Sequence, residues 1–239
     1  MGNCQGADRV CAMPRQCNHL RYREITNWDA YDDGKAVGQS DPGYLKDQRS
    51  RIRAELVSSE EVYTRHLQTF FRNYANPLNK EKNEYAVMKS TEKWGRYFNN
   101  LDKLKNFHRD TMVKVLQSAQ PDKESDDVVD IGERFLSVAG QLTEIYTPYL
   151  RCFTELRESI KAEKKKSKYS KFFKDACKQC NGLEIESYLI MPVQRLPRYK
   201  MLIFELMKYT PEDHVERKSL EEAADMIKQI LDDCNSKTH

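Results

Sequence analysis

The chain has 239 residues and a mass of 28.1 kDa, enough for one well-cored domain with an appendage or for two small domains. Charged residues make up 32% and hydrophobic ones 39%, yet the formal net charge is only +3, which excludes the basic excess of a general nucleic-acid binder. Seven cysteines, an odd number with no apolar signal-peptide core before them, point to a reducing cytosolic compartment rather than a disulfide framework, and no apolar run reaches the roughly 18 residues of a spanning helix.

Residues 1–48 hold five of the nine glycines, together with Pro14 and Pro42 and no sustained hydrophobic period. They read as an irregular, flexible segment. From Arg49 to the end the pattern is helical, and residues 49–239 form the folded unit. Ile52, Leu56, Tyr63, Leu67, Phe70, Phe71 and Tyr74 recur at steps of three and four, and Asn76-Pro77 closes this first helix. A second stripe runs through Trp94, Tyr97, Leu101, Leu104 and Phe107, and Gln120 to Asp127 is a polar loop. A third set comprises Ile131, Phe135, Leu142, Ile145, Tyr149, Phe153, Leu156 and Ile160. The basic run Lys161 to Lys171 reads as a solvated helix end. The stretch Ser187 to Thr210 is amphipathic but carries Pro192 and Pro197, so it is expected to bend. Thr210 as N-cap and Pro211 start the last helix, whose stripe is Leu220, Ala223, Ala224, Ile227, Ile230, Leu231 and Cys234. These patterns predict an all-α fold of about six long helices, with no period-two strand.

Motifs for bond-making chemistry are missing. There is no G-x-x-x-x-G-K-[ST] and no G-x-G-x-x-G, so nucleotide binding by the chain itself is not expected. Cys177 and Cys180 have CxxC spacing, but a second pair of zinc ligands could come only from Cys11, Cys17 and His19 in the leading segment. The reading is therefore two structural thiols and no metal. His66 and His108 sit beside apolar stripes without a nucleophile in sequence, and read as structural histidines. No cofactor, small-molecule substrate or nucleic acid is expected.

Recognition surfaces are more visible. At about 100° per residue, Glu60 falls roughly 50° from the centre of the first helix's apolar stripe, whereas Glu61 lies roughly 150° away. Glu60 is therefore placed at the rim of the core, where packing would hold a carboxylate ready for a partner. On the proline-bearing helix Leu189, Val193, Leu196, Ile203 and Met207 share one side, while Ser187, Met191, Gln194, Arg195, Arg198 and Glu205 project to the other. Met191 is an adaptable apolar side chain on a polar face, which suits an interface. The last helix carries a polar row of Glu221, Asp225, Lys228 and Asp232.

With these residues in view, the stretch "LEIESYLIMPVQRLPRYKMLIFELMKYTP" resembles the third signature region of the Dbl-homology, or RhoGEF, domain. Likewise "ELVSSEEVYTRHL" resembles its first, and "FNNLDKLKNFHRDTMVKVL", "IGERFL" and "YTPYLRCF" resemble the helices between. The resemblance covers about residues 49–239 in the family's order. It implies an elongated helical bundle with a kinked signature helix that accelerates GDP release from Rho- and Rac-family small GTPases, without covalent chemistry. It implies that Glu60 engages switch I, that Ser187 contributes to GTPase choice, and that Gln194 and Arg195 belong to the contact surface. Met191 stands where many members carry a lysine that contacts the GTPase. The family's usual spacing brings Lys228 to a contact position on the last helix, with Asp225 and Asp232 as the alternatives one register away. A module that binds the GTPase or a membrane but exchanges poorly is the alternative function.

Family members usually continue into a pleckstrin-homology domain, whereas this chain ends four residues after Asn235. The opening "MGNCQG" offers a different anchor, with Gly2 a candidate for myristoylation and Cys4 for palmitoylation, although Gly6 stands where Ser or Thr is preferred. Residues 1–48 hold six Lys or Arg against seven Asp or Glu, so no polybasic patch there can reinforce a single acyl chain. The expected location is cytoplasmic, at the inner face of the plasma membrane when acylated.

Overall fold

The computed structural model describes residues 41–79, 92–118 and 130–236. Among them every regular element is helical. Helix α1 spans Pro42–Phe70 and continues through a π-helical turn, Phe71–Ala75, into Asn76–Asn79. Helix α2 spans Glu92–Phe107 and passes through a second π turn, His108–Met112, into Val113–Gln117. There follow α3 (Ile131–Ser137), α4 (Ala139–Lys164), α5 (Ser167–Gln179), α6 (Ile185–Leu189), α7 (Met191–Lys208) and α8 (Arg217–Ser236). Six of these are long, the number the periodicity predicts, and two are short. The 29 residues of α1 make a rod of about 44 Å at 1.5 Å per residue.

One apolar cluster joins all the helices, from Ile52 to Cys234. The stripes named from the sequence are buried, apart from Ile145, which is partly covered. Helix α8 crosses α3 so closely that a Cβ on Gly132 would lie 2.2 Å from the backbone carbon of Ser219. The crossing is pinned by polar groups. Asp130 caps α3 through the Glu133 amide at 2.9 Å and accepts from the Ser219 hydroxyl at 2.6 Å. Arg53 of α1 donates to both oxygens of the fully buried Glu216 at 2.5 Å, and the Ile131 amide donates to the same carboxylate at 3.2 Å. A buried carboxylate with an arginine and a backbone amide on it has partners for its charge, which burial requires.

Several boundaries differ from the sequence reading, each for a local reason. Helix α1 starts at Pro42, within the segment assigned as irregular, because Asp41 caps it through the Tyr44 amide at 3.0 Å and Pro42 occupies a first-turn position that needs no N–H. Its start is held by Arg49 donating to the Tyr209 carbonyl at 2.8 Å. Asn76-Pro77 does not close the helix: the ladder widens to a π turn, with the Asn76 amide bonded to the Phe71 carbonyl, and runs on to Asn79. Thr210 does not cap α8. Its hydroxyl donates backward to the Leu206 carbonyl at 2.8 Å, ending α7, and α8 begins at Arg217. The loop assigned to residues 120–127 lies outside the described residues.

The two prolines of the signature stretch have separate explanations. The chain breaks at Ile190, between α6 and α7, where the Tyr149 hydroxyl donates to the Leu189 carbonyl at 2.6 Å. Pro192 therefore falls in the first turn of a new helix, where a missing donor costs little. Pro197 alone lies inside α7. The expected kink is thus a break with a side-chain cap.

Candidate functional site

Helix α1 runs antiparallel to the α6–α7 segment along its whole length, and named contacts fix the register. Arg49 meets the Tyr209 carbonyl, Glu55 meets Arg198, Ser59 and Glu60 meet Arg195, His66 meets Tyr188, and Tyr74 donates to the Leu183 carbonyl at 2.9 Å. Any surface built from both helices is therefore a continuous antiparallel ribbon.

Beneath that ribbon lies a buried polar knot. Glu60 is 0% exposed. Its Oε2 accepts from Arg195 Nε at 3.0 Å, from Arg195 Nη2 at 2.5 Å and from the Tyr199 hydroxyl, and its Oε1 lies 2.6 Å from His108 Nδ1. His108 Nε2 in turn lies 2.8 Å from the Tyr146 hydroxyl. Arg195, itself 5% exposed, lies over the Tyr199 ring at 4.3 Å and the Tyr63 ring at 5.2 Å. Burial by itself would push the Glu60 carboxyl up, but the Arg195 and His108 charges and the bonds from His108 and Tyr199 outweigh it and hold the group at about 2. Glu60 is therefore ionised at neutral pH, and His108 Nδ1 carries the proton that points to it. Desolvation opposes the charged form of Arg195, yet neighbouring Tyr199 and Glu60 raise its basicity overall.

This geometry corrects two assignments. Glu60 is not a rim carboxylate, and neither it nor Arg195 presents a free polar group to a partner; they bind each other. The helical wheel placed Glu60 at the edge of a stripe, but α7 and the π turn of α2 both pack across that edge and turn the rim into interior. His108, by contrast, is the satisfied structural histidine expected of it.

The exposed part of the ribbon is different. On α1, Glu55, Ser58 and Val62 are exposed and Ser59 is half-buried, and the spacing of three, four and seven residues puts all four on one face. Val62 is one of the few large apolar side chains left open. From α7, Arg198 reaches across to pair with Glu55, with side chains 32% and 48% exposed. Met191 and Gln194 are half-buried along the same face of α7, and the antiparallel register sets Met191 beside Val62. Ser187 is half-buried on α6. Asp225, Lys228 and Asp232 are exposed in a row on α8, a helix packed against both α7 and α3. Glu55 is the residue that the sequence reading passed over. Its signal was available: it starts the i, i+3, i+4, i+7 row that α1 leaves outside its apolar stripe.

The RhoGEF domain model matches residues 52–235. The chain belongs to that family. As a RhoGEF domain it is 32% identical over 187 residues to the Rac guanine nucleotide exchange factor JJ of Dictyostelium discoideum, covering 76% of this chain and 15% of that protein. It is 28% identical over 196 residues to the Dictyostelium myosin-M heavy chain, covering 80% and 11%. It is 26% identical over 191 residues to human Rho guanine nucleotide exchange factor 17, covering 79% and 9%. The chain thus spans less than a fifth of the length of these relatives. Among solved structures, the linker-DH/PH domains of p115-RhoGEF superpose with a TM-score of 0.70 at 21% identity, covering 82% of this chain and 57% of that one. The DH/PH domains of PDZ-RhoGEF, in a complex with activated RhoA, give 0.70 at 21% identity and cover 84% and 56%. These likenesses establish the RhoGEF fold of the bundle.

Cys180 is buried and its Sγ accepts from Asn73 at 3.3 Å, while Cys177 is half-buried. Among the described residues no group of three or more His, Cys, Asp and Glu is arranged to hold a metal ion, and none of their helices is long and apolar enough to cross a membrane. Gly2 and Cys4 lie outside the described residues.

Proposed function

We propose that this RhoGEF domain is a guanine nucleotide exchange factor that stimulates GDP release from Rho- or Rac-family small GTPases by holding their nucleotide-free form. Two of the relatives are named as exchange factors for Rac and Rho. The observation that carries the reading is an exposed carboxylate–guanidinium pair, Glu55 with Arg198, mounted directly above the buried Glu60–Arg195 clamp. An exposed ion pair is worth little by itself, so Glu55 can exchange its partner at small cost. The clamp below fixes both backbones, so little entropy is lost when it does.

In this reading Glu55, rather than Glu60, supplies the carboxylate that draws on switch I. Ser187, Met191 and Gln194 extend the contact along the ribbon, and the Asp225–Lys228–Asp232 row of α8 supplies its third side. No covalent step is involved: exchange factor and nucleotide weaken each other's binding by the same factor. A thousandfold acceleration requires lowering the barrier by about 4 kcal/mol, within reach of a few desolvated contacts. Magnesium and nucleotide belong to the GTPase.

The experiment is release of fluorescent GDP from a panel of Rho and Rac GTPases. Acceleration on one or two members, abolished by Glu55→Ala with the fold intact, is the expected result. Met191 favours a second reading, a GTPase-binding or membrane adaptor with weak exchange, because a thioether replaces a cation there. Capture of nucleotide-free GTPase without accelerated release would select that reading. Myristate on Gly2 and palmitate on Cys4 complete the proposal, placing the domain at the inner face of the plasma membrane beside its lipid-anchored substrate. Equal fatty-acid labelling of wild type and Gly2→Ala would remove this part.

A further inference from the structure

The basic run between α4 and α5 separates into two kinds of lysine. Lys161, Lys164 and Lys166 are neutralised locally: Lys161 by Glu158 at 3.1 Å, Lys164 by Glu184 and Glu186 at 2.8 Å, and Lys166 by Glu163 at 2.8 Å. Lys165, Lys168, Lys171, Lys174 and Lys178 are exposed and make no ion pair among the described residues. Their spacing of three, three, three and four residues keeps the α5 members on one face, opposite the buried Tyr169, Phe172, Phe173 and Ala176. Asp175 is the single carboxylate on this exposed side of α5.

This ridge is not explained by the stability of the helix. Like charges three and four residues apart repel one another. Lys168 lies in the first turn of α5, the positive end of the helix dipole, where a cation is unfavourable. Only Lys178, at the opposite end, gains from the dipole. The unpaired basic groups are also all lysines. Arginine would be expected for forked, bidentate recognition of single carboxylates or phosphates, whereas flexible ammonium groups suit a diffuse anionic surface.

We infer that the α5 lysine ridge docks on an anionic lipid surface. Its position is remote from the Glu55–Arg198 end of the proposed exchange surface, while Ser187 lies at the end of the ribbon nearer α5. Helix α5 packs on the far end of α1, with Phe172 against Tyr74 at 6.5 Å and Cys180 against Asn73, and Tyr74 lies about 28 Å along the helix from Glu55. The inference does not depend on exchange activity or on acylation, although the ridge would supply the second signal that one acyl chain needs.

The test is co-sedimentation of the unacylated full chain with phosphatidylcholine vesicles, with and without phosphatidylserine. Binding should require phosphatidylserine and fall at high salt. The triple variant Lys168→Ser/Lys171→Ser/Lys174→Ser should lower the partition coefficient on the order of a hundredfold, about fivefold per lysine. A variant with the same charge loss elsewhere, Lys103→Ser/Lys114→Ser/Lys218→Ser, should bind nearly as wild type does. Equal binding to neutral vesicles, or equal loss in both variants, overturns the inference. So does indifference to vesicles combined with ridge-dependent binding to polyglutamate, which would assign the ridge to an acidic protein.

Discussion

Glu60 of α1 and Arg195 of α7 are 135 residues apart in the chain and meet in the interior, with Arg195 Nε and Nη2 donating to one carboxylate oxygen at 3.0 and 2.5 Å. Removing one member leaves the other charged and buried without its partner, a change that costs about 3–5 kcal/mol. Glu60→Ala is therefore expected to lose most of the domain's stability. Urea unfolding should show a lower midpoint together with any loss of exchange, marking the residue as structural.

Glu55→Ala should separate the two properties. The Glu55–Arg198 pair is exposed, so its loss should shift stability by less than about 1 kcal/mol. The proposed contact predicts at least a tenfold drop in the rate of GDP release, equivalent to about 1.4 kcal/mol of barrier. An unchanged rate would disconnect the ribbon from exchange.

The Glu60 carboxyl sits below the ordinary carboxylate range, at about 2. A group whose acidity is strengthened by folding stabilises the protein above its unfolded pKa and loses that contribution as pH falls through the folded value. Stability should therefore decline from about pH 5 toward pH 2, and Glu60→Gln should flatten that limb while lowering stability at neutral pH. Denaturant midpoints measured across this range for both proteins will show it.

Gly132→Ala tests the α3–α8 crossing. The new Cβ would meet the Ser219 backbone at 2.2 Å, and backbone cannot rotate away as a side chain can. Overpacking of this kind costs about 1–3 kcal/mol. The substitution should lower the thermal midpoint far more than Gly140→Ala, where a Cβ has nothing within 4 Å.

Met191→Lys asks what the apolar end of the ribbon recognises. Beside Val62, the thioether favours an apolar contact from the partner; a lysine there would restore a cation at the cost of that contact. The panel of GTPases should respond unevenly, with members losing or gaining rate according to the facing side chain. A uniform response across the panel would show that Met191 has no part in choice.

The sequence by itself determined most of the helices and their apolar stripes, because a period of three to four is a property of local chain geometry, but α5 with its buried Tyr169, Phe172 and Phe173 was read only as a solvated end. The stripe from Leu189 to Met207 and the stripe from Leu220 to Cys234 are both buried as read. It also carried the family, through the order of its signature stretches. Some local signals were present but ambiguous: Asp41 with Pro42 and Thr210 with Pro211 look alike as caps, yet only the first starts a helix. Only the tertiary structure decided which of the three glutamates on α1 is buried. A helical wheel reports distance from one stripe's centre and has no knowledge of a second or third helix packed over its edge. Covered by α7 and α2, Glu60 became the ionised centre of the core, and Glu55, one and a half turns earlier on the uncovered face, stayed at the surface in its pair with Arg198.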